Sequence, residues 1–208
     1  MKHWLKSNHP NIKMPSIILA SSSIYRKQLL QRLTKKFKVI APHVNEKKLP
    51  KEGGKESALR LALVKAEKIS KDNQNSYVIG SDQTAEFDSI QIAKPKNNNE
   101  SIEQLIKLSG KDVTFYSAVC LINKSKKIEY KEVEVIQVKY KVLTKSMISS
   151  YLRNEIPNGC LGSIKSEGLG ITLLEKIVSN DPTAIVGLPL LSLVKMFELE
   201  EIYFNGKW

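Results

Sequence analysis

Residues 17–30 read IILASSSIYRKQLL, and this stretch decides how the rest of the chain can fold. The four apolar residues Ile17–Ala20 predict a short buried strand. Three serines follow, and after Arg26 and Lys27 the leucines recur at helical spacing. A strand that ends in hydroxyls and opens a helix can bind an anion, because free N–H groups and the positive end of the helix dipole point at the ligand. Taken alone, the pattern fits equally well a serine that caps a surface helix with solvated cations.

The chain has 208 residues, of which 41% are hydrophobic. This is enough for one sizeable domain or for two small lobes that share a cleft, and it excludes wholesale disorder. The formal charge of +12 attracts polyanions such as nucleic acid, an acidic membrane surface or nucleotides. Because the excess is nearly all lysine scattered along the chain, charge alone is weak support for nucleic-acid binding.

The two cysteines, Cys120 and Cys160, form no CxxC motif, so we expect neither a disulfide framework nor a structural zinc site. They suit a reducing compartment, and we expect a cytoplasmic protein. No apolar run approaches the roughly 18 residues of a membrane helix. Residues 1–13 are polar and lack a signal-peptide core, and Met14 stands just before the first strand. We predict that residues 1–13 are a disordered extension and that residues 14–208 form a single domain.

Strands and helices alternate irregularly after the first strand, which favours an α/β fold with a mixed sheet. We expect the first helix to end near Lys35 or Lys36 and a strand to follow at 37–40. Ser57 is a candidate cap for the second helix, and Tyr77–Ser81 has the apolar character of a central strand.

The second half of the chain continues the same alternation. Asn97–Asn99 offers a cap for a third helix, and Thr144 offers one for a fourth. Longer strands are predicted near 113–123 and 132–142. The apolar residues of the later strand change parity, so a bulge or twist is expected near Val135. A last amphipathic helix closes the chain.

Carboxylates and cations at strand ends and in loops carry the candidate chemistry. Asp82 follows directly on the central strand predicted at Tyr77–Ser81, and a carboxylate at the carboxyl end of such a strand points into the usual α/β ligand crevice. A turn aspartate is the alternative. Glu46 lies in a proline-containing loop, and Lys94 precedes Pro95. Together they indicate a site for a phosphorylated substrate, in which carboxylates hold a divalent metal or activate water.

Other catalytic patterns are absent from the sequence. It contains no nucleophile elbow, Walker loop, HExxH motif or Rossmann fingerprint. The only histidines are His3, His9 and His43, so Ser-His-Asp chemistry is not expected. A single histidine in a loop is usually solvated.

Five ordered blocks resemble the Maf family of nucleoside triphosphate pyrophosphatases. Leu19–Leu30 resembles the opening motif of that family, and Ile79–Gln83 is similar to the strand that carries its catalytic aspartate. Three later blocks follow in the same order: Lys94–Pro95, Leu108–Gly110 and Val186–Leu190. The resemblance covers 14–204. It implies a mixed, twisted sheet flanked by helices, with two lobes around a cleft, as in Maf and ITPase-like proteins.

Within the family, the chain resembles the 7-methyl-GTP pyrophosphatase branch. The closer match rests on Gly80–Gln83, Val113–Tyr116 and Gly162–Thr172. The chain departs from the usual pattern at three positions of its opening motif, where proline, tryptophan and arginine are common: Ile24, Tyr25 and Lys27.

The resemblance implies hydrolysis between the α and β phosphates, with Asp82 as general base and a Mg²⁺ or Mn²⁺ cofactor held by Glu46 and Asp82. It implies that the triphosphate is bound by Ser21, Ser23, Arg26, Lys27, Lys65 and Lys94. Tyr25, Gln83 and Glu167 are the expected specificity residues. N7-methylation makes guanine cationic, so an aromatic face and a carboxylate both favour it.

Two other functions remain open from the sequence. One is the same reaction on UTP, dTTP or another non-standard nucleotide. The other is a basic nucleic-acid-binding protein without turnover, although an aromatic content of 7% and the lack of a binding motif speak against it. We expect a small-molecule nucleotide substrate, no stable nucleic-acid complex, no membrane association and, by resemblance, a possible homodimer.

Overall fold

The computed structural model describes residues 15–157 and 159–204, and the extension predicted at residues 1–13 lies outside them. In this part of the chain, seven strands and five helices follow one another in the order β1 (Ile17–Ala20), α1 (Ile24–Leu30), β2 (Lys38–Val39), α2 (Gly54–Ser70), β3 (Tyr77–Phe87), β4 (Ile90–Gln91), α3 (Asn98–Leu108), β5 (Asp112–Asn123), β6 (Ile128–Tyr140), α4 (Lys145–Asn154), β7 (Leu174–Val178) and α5 (Leu190–Glu198). Among these helices, none combines the length and the apolar character that a membrane crossing requires.

The strands form one sheet in the order β2-β1-β3-β5-β6-β7, and β4 pairs with the end of β3. Strand β1 is parallel to both β2 and β3, whereas the pairs from β3 to β7 are antiparallel. Helices cover both faces of this sheet. The predicted α/β class with a mixed sheet flanked by helices is therefore confirmed.

Strand β1 is buried on both faces, as its uninterrupted apolar run predicts. Because successive side chains of a strand point to opposite faces, Ile17 and Leu19 pack with the core under α1 and α5. Ile18 and Ala20 point the other way and pack against the alanine-rich face of α2. A third apolar cluster lies between the far half of the sheet, α3 and α4.

Strand β3 is longer than predicted, and this moves Asp82 from a strand end to the middle of a strand. The strand continues to Phe87, and Asp82 pairs with Ala118 of β5. The strand continues past Ser81 because its backbone stays paired with β5 as far as Glu86, and its polar side chains find partners on both faces. Ser81 donates to the carbonyl of Gly187, and Thr84 donates to that of Gly54.

Several boundaries in the first half also differ from prediction. Helix α1 ends at Leu30 instead of Lys35 or Lys36, and β2 spans only Lys38–Val39. Helix α2 begins at Gly54, so Ser57 lies buried in its first turn and does not cap it. Glycine at a helix start and short edge strands leave little signal in a sequence.

The bulge predicted near Val135 was wrong. Strands β5 and β6 keep one register from Asp112 to Asn123, and the irregularity lies between Lys139 and Tyr140 in the pairing with β7. The change of parity has another cause, since the two faces of β6 contact different clusters. Val133 packs toward α2, whereas Ile136 faces the cluster at α3 and α4.

The close approach of α2 to β3 generates a prediction about stability. At Gly80, a Cβ would clash with the carbonyl oxygen of Ala62 and lie 2.8 Å from the backbone nitrogen of Ala66. Backbone atoms cannot give way without moving the helix, so we expect Gly80→Ala to lower the free energy of unfolding by about 2 kcal/mol or more in urea titrations.

Gly53→Ala is the control, because the atom its Cβ would meet is the flexible end of Glu56. We expect that variant to stay within about 1 kcal/mol of the wild type. Equal losses in the two variants would refute the close-approach argument.

Candidate active site

The turn between β1 and α1 presents Ser21, Ser23 and Arg26 together. Ser23 caps α1, since its hydroxyl accepts a hydrogen bond from the backbone N–H of Arg26 at 3.4 Å. The Ser21 hydroxyl accepts one from the backbone N–H of Ser23 at 3.1 Å. Helix α1 has only seven residues, so its dipole is small and the side chains supply most of the positive potential.

Arg26 is buried and aimed by a distant loop. Its Nε donates to the carbonyl oxygen of Gly187 at 2.8 Å, and its Nη1 lies 3.5 Å from the Ser21 hydroxyl. Burial lowers the pKa of this guanidinium, and the charges of Asp82 and Glu46 oppose that effect. An arginine stays charged in any case, so the site holds a fixed cation.

Lys65 joins the two carboxylates that the sequence singled out. Its Nζ donates to Asp82 Oδ1 at 2.6 Å and contacts Glu46 Oε1 at 2.8 Å. The Lys65 and Asp82 side chains are nearly fully buried, whereas that of Glu46 is 55% exposed. Alternation along β3 explains the pairing, because Gly80 and Asp82 point to the face covered by α2, which carries Lys65.

The surrounding charges perturb Glu46 and Lys94. Burial by itself would raise the pKa of Glu46, but the hydrogen bond and charge of Lys65, with the charges of Lys94 and Arg26, outweigh it and lower the pKa. The pKa of Lys94 is lowered by burial of its ammonium and then by the charge of Arg26, although the residue as a whole is exposed. Both effects mark a region of concentrated positive charge.

These groups border a cavity of about 580 Å³, which we call the charged cleft. Its walls come from the β1–α1 turn, from the loop at 41–46, and from Lys65, Lys94 and Gly159. It adjoins a second cavity of about 90 Å³, the small cavity. The two share Ser23, Tyr25, Arg26, Lys94 and Gly159, so they form one continuous site.

The small cavity combines apolar walls with a few polar groups. Phe115, Leu161, Ile164, Ile185 and Val186 contribute the apolar surface, and the polar groups include Tyr25, Gln83 and Glu167. Sequence reasoning missed the apolar residues, because they come from three separate segments that only the fold brings together.

Gln83 has less freedom than the sequence suggested. Its Nε2 donates to the Ser117 hydroxyl at 2.9 Å and to the carbonyls of Ala184 and Ile185 at 3.1 and 2.9 Å. These protein partners occupy its amide N–H groups. The Oε1 oxygen is therefore the atom of Gln83 that can contact a ligand, and it is an acceptor.

The Tyr25 hydroxyl lies close to two residues that sequence reasoning did not assign to the site. They are Cys160 and Lys165, whose thiol and ammonium both act on its pKa. Burial raises the pKa of Tyr25, the thiol raises it further, and Lys165 opposes both. Their proximity to Glu167 in the sequence was the available signal. Tyr25 lines both cavities and so lies at their junction.

Lys27 is the predicted site residue that the structure does not bring to the site. It is exposed and lines neither cavity, because the next position after Arg26 on a helix is turned by about 100°. The other predicted residues line one of the cavities or, in the case of Asp82, bind a residue that does.

Glu46 and Asp82 are the carboxylates of the site that could hold a divalent metal. Among residues 15–157 and 159–204, no group of three or more His, Cys, Asp or Glu side chains is placed to hold one. Glu46 and Asp82 contact the same Lys65 nitrogen, and each has a second carboxylate oxygen. Mg²⁺ is commonly held by one or two carboxylates together with substrate phosphates, so these residues fit such a cation when a phosphorylated ligand is bound.

A charged cleft that opens into a partly apolar cavity defines the class of site: it suits a ligand with an anionic end and a ring, as in a nucleotide. The family model of Maf-like proteins matches residues 16–200, and the chain belongs to that family.

Curated relatives support a narrower grouping. The 7-methyl-GTP pyrophosphatase of Burkholderia pseudomallei is 45% identical over 191 residues, which cover 90% of this chain and 89% of the relative. The protein of the same name from Nitrosospira multiformis is 42% identical over 186 residues, which cover 89% of this chain and 94% of the relative. The solved structure of the Staphylococcus aureus Ham1 protein covers 60% of this chain and 71% of its own at 15% identity, and its TM-score of 0.42 is too low to bear on the fold.

The lowered pKa of Lys94 predicts a pH effect on ligand use. The ammonium is positive below its pKa and loses its charge as the pH rises through that value. We expect kcat/KM for a triphosphate to fall on the alkaline side at a pH below the ordinary lysine value of 10.5. Lys94→Arg should move this fall to higher pH, because arginine keeps its charge.

Lys68→Arg, on the exposed end of α2, is the matched control and should leave the pH profile unchanged. If the alkaline fall of kcat/KM stays at the same pH in Lys94→Arg, the titration of another group causes it.

Proposed function

We propose that this protein hydrolyses 7-methyl-GTP to 7-methyl-GMP and diphosphate, clearing a modified nucleotide. The observation that carries the proposal is the buried Lys65–Asp82 pair at the charged cleft, which continues into a cavity bearing Tyr25 and Glu167. The names and the identity of the curated relatives support the same substrate. Cleavage of an acid anhydride makes the protein a hydrolase.

The triphosphate would occupy the charged cleft. Arg26 and Lys94 line both cavities, so they would bind the phosphates nearest the nucleoside. Ser21 and Ser23 offer hydroxyl groups at the β1–α1 turn. Lys27 would act only through its long-range charge, since it lies outside the cleft.

Asp82 would serve as the general base. Its Oδ1 is occupied by Lys65, and its other oxygen can accept the proton of a water molecule that attacks the α phosphorus. Lys65 fixes the orientation of the carboxylate and adds positive charge where the transition state gains negative charge.

A divalent cation, Mg²⁺ or Mn²⁺, would be held by Glu46 and Asp82 together with the substrate phosphates, and when bound it would neutralise charge on the phosphate oxygens. The lowered pKa of Glu46 is in accord with this role, because it keeps that side chain ionised to a lower pH than an ordinary glutamate.

The base would enter the small cavity. Tyr25 offers an aromatic face to a cationic ring, and Glu167 offers a negative charge. The free Oε1 of Gln83 can accept a hydrogen bond from the N–H groups of guanine. Glu167 is exposed, and a neutral pyrimidine gains no charge-assisted contact from it, whereas the cationic base does, which favours 7-methyl-GTP over UTP and dTTP.

The remaining expectations belong to the same proposal. We infer a single catalytic domain over residues 14–208, a cytoplasmic location, and no stable complex with nucleic acid. A homodimer stays a prediction from family resemblance.

A panel of triphosphates with diphosphate detection tests the proposed substrate. We expect the highest kcat/KM for 7-methyl-GTP, ahead of GTP, UTP and dTTP. A preference for UTP or dTTP would favour the alternative substrate, and salt-sensitive nucleic-acid binding without turnover would favour the non-catalytic alternative.

Asp82→Asn removes the proposed base at nearly constant shape. We expect kcat to fall by about 100-fold or more, while calorimetry still detects binding of 7-methyl-GTP. Asp112→Asn is the control, because Asp112 is an exposed partner of Lys139 outside both cavities. Near-normal turnover in Asp82→Asn would rule out its role as base.

Glu167→Gln removes a charge from the small cavity and keeps the size of the side chain. We expect the ratio of kcat/KM for 7-methyl-GTP over GTP to fall by about tenfold, since a charge-assisted contact is lost only with the cationic base. Glu175→Gln, on the exposed side of β7, should leave the ratio unchanged. An unaltered ratio in Glu167→Gln would remove the charge-pairing argument.

A further inference from the structure

We propose that Asp181 and Thr183 are positioning residues of this site, which act through the loop at 179–190 to aim Arg26 at the phosphates. The effect on turnover rests on the proposed function. The effect on anion binding does not, and the experiment below uses that difference.

The loop contacts the site through its backbone carbonyls. Gly187 accepts hydrogen bonds from Arg26 Nε at 2.8 Å and from the Ser81 hydroxyl at 2.9 Å. Ala184 accepts from the Ser117 hydroxyl at 2.6 Å and, with Ile185, from Gln83. The direction of Arg26 therefore depends on where one carbonyl oxygen of this loop lies.

Asp181 and Thr183 hold the loop from inside. Asp181 Oδ1 accepts from the backbone N–H of Thr183 at 2.8 Å and from its hydroxyl at 2.6 Å. The Thr183 hydroxyl also lies 2.9 Å from the carbonyl oxygen of Leu188, and it accepts from the N–H of Leu190 at 2.9 Å. Asp181 thus binds the backbone before Gly187, and the Thr183 hydroxyl binds the backbone after it.

The negative charge of Asp181 is compensated by the backbone. Asp181 is only 2% exposed, and within the described ranges no lysine, arginine or histidine forms an ion pair with it. Its Oδ2 accepts from the N–H of Leu191 at 2.7 Å, in the first turn of α5, where the helix dipole favours an anion. A buried carboxylate fully used by one loop indicates that the conformation of this loop is tightly specified.

A second anchor fixes the start of the loop to the sheet. Glu134 on β6 accepts hydrogen bonds through Oε1 from the Ser179 hydroxyl at 2.9 Å and from the Asn180 N–H at 2.6 Å. Gly187 itself has a φ of +115°, a conformation that other residues rarely adopt. The segment that carries the Gly187 carbonyl is therefore held at both ends, with little freedom between them.

For the site, the consequence is that this loop holds the Arg26 side chain rigidly in place. The guanidinium is buried, and the carbonyl of Gly187 occupies its Nε, so its Nη groups can face the cleft. If the loop relaxes, Arg26 keeps its charge, but its guanidinium no longer points at the cleft. Positioning of this kind affects the binding of the phosphates and of the transition state.

Thr183→Val and Thr183→Ser test the proposal as a pair. Valine has nearly the same shape and lacks the hydroxyl, whereas serine retains it. We expect Thr183→Val to lower kcat/KM for 7-methyl-GTP by about tenfold, mainly through KM, and Thr183→Ser to restore most of it. Thr144→Val is the stability control, because it removes the cap of α4 at a position outside both cavities. It should lower Tm and leave kcat/KM unchanged.

A double-mutant cycle separates positioning from general weakening. Lysine at position 26 keeps the charge but has no Nε–H for the Gly187 carbonyl. We expect Thr183→Val to lower kcat/KM for 7-methyl-GTP by about tenfold in the wild type and by less than about twofold in the Arg26→Lys background. Equal losses in both backgrounds, or no loss in either, would overturn the proposal.

The dissociation constant of inorganic tripolyphosphate is a measurement that does not require turnover. We expect the same pattern in that constant: weaker binding in Thr183→Val, recovery in Thr183→Ser, and no further loss with Arg26→Lys. If the wild type binds tripolyphosphate with this pattern but hydrolyses no nucleotide, the proposed function fails and the positioning role stands. If Thr183→Val binds tripolyphosphate as the wild type does, the positioning role fails whatever the turnover.

Discussion

The contact between the Lys65 ammonium and the Asp82 carboxylate is the constraint on which the rest of this structure depends. Two buried charges are costly to desolvate, so their pairing is stable only if the geometry is held closely. Helix α2 must lie directly on β3, and Gly80, two residues before Asp82 on the same face, allows that approach. Glu46 contacts the same nitrogen, so the loop at 41–46 is drawn in as a wall of the charged cleft.

Because side chains alternate along β3, the face opposite to Asp82 carries a different set of contacts. Ser81 and Gln83 point away from α2 and donate to carbonyls of the loop at 179–190. That loop in turn accepts from Arg26. One strand therefore links the proposed catalytic carboxylate to the support of Arg26, the proposed phosphate-binding arginine, and to the wall of the small cavity.

Much of this was predictable from local signals. The buried strand at Ile17–Ala20, a serine cap on the first helix and the caps of α3 and α4 were predicted correctly, because strand burial and capping depend on near neighbours. Family resemblance supplied the candidate site residues, and all of them except Lys27 line one of the cavities or, in the case of Asp82, bind a residue that does. The extent of β3 could not be predicted, because it depends on pairing with β5. The fixed amide of Gln83 could not be predicted either, because it depends on hydrogen bonds to carbonyls about 100 residues away in sequence.

Analysis of the products of 7-methyl-GTP turnover by the wild-type protein tests the central claim most directly. If Asp82 directs water to the α phosphorus of a triphosphate held in the charged cleft, the products are 7-methyl-GMP and diphosphate in equal amounts. Release of orthophosphate together with 7-methyl-GDP would place the attack at the wrong phosphorus. Absence of turnover at any concentration of 7-methyl-GTP and divalent metal would contradict the account as a whole.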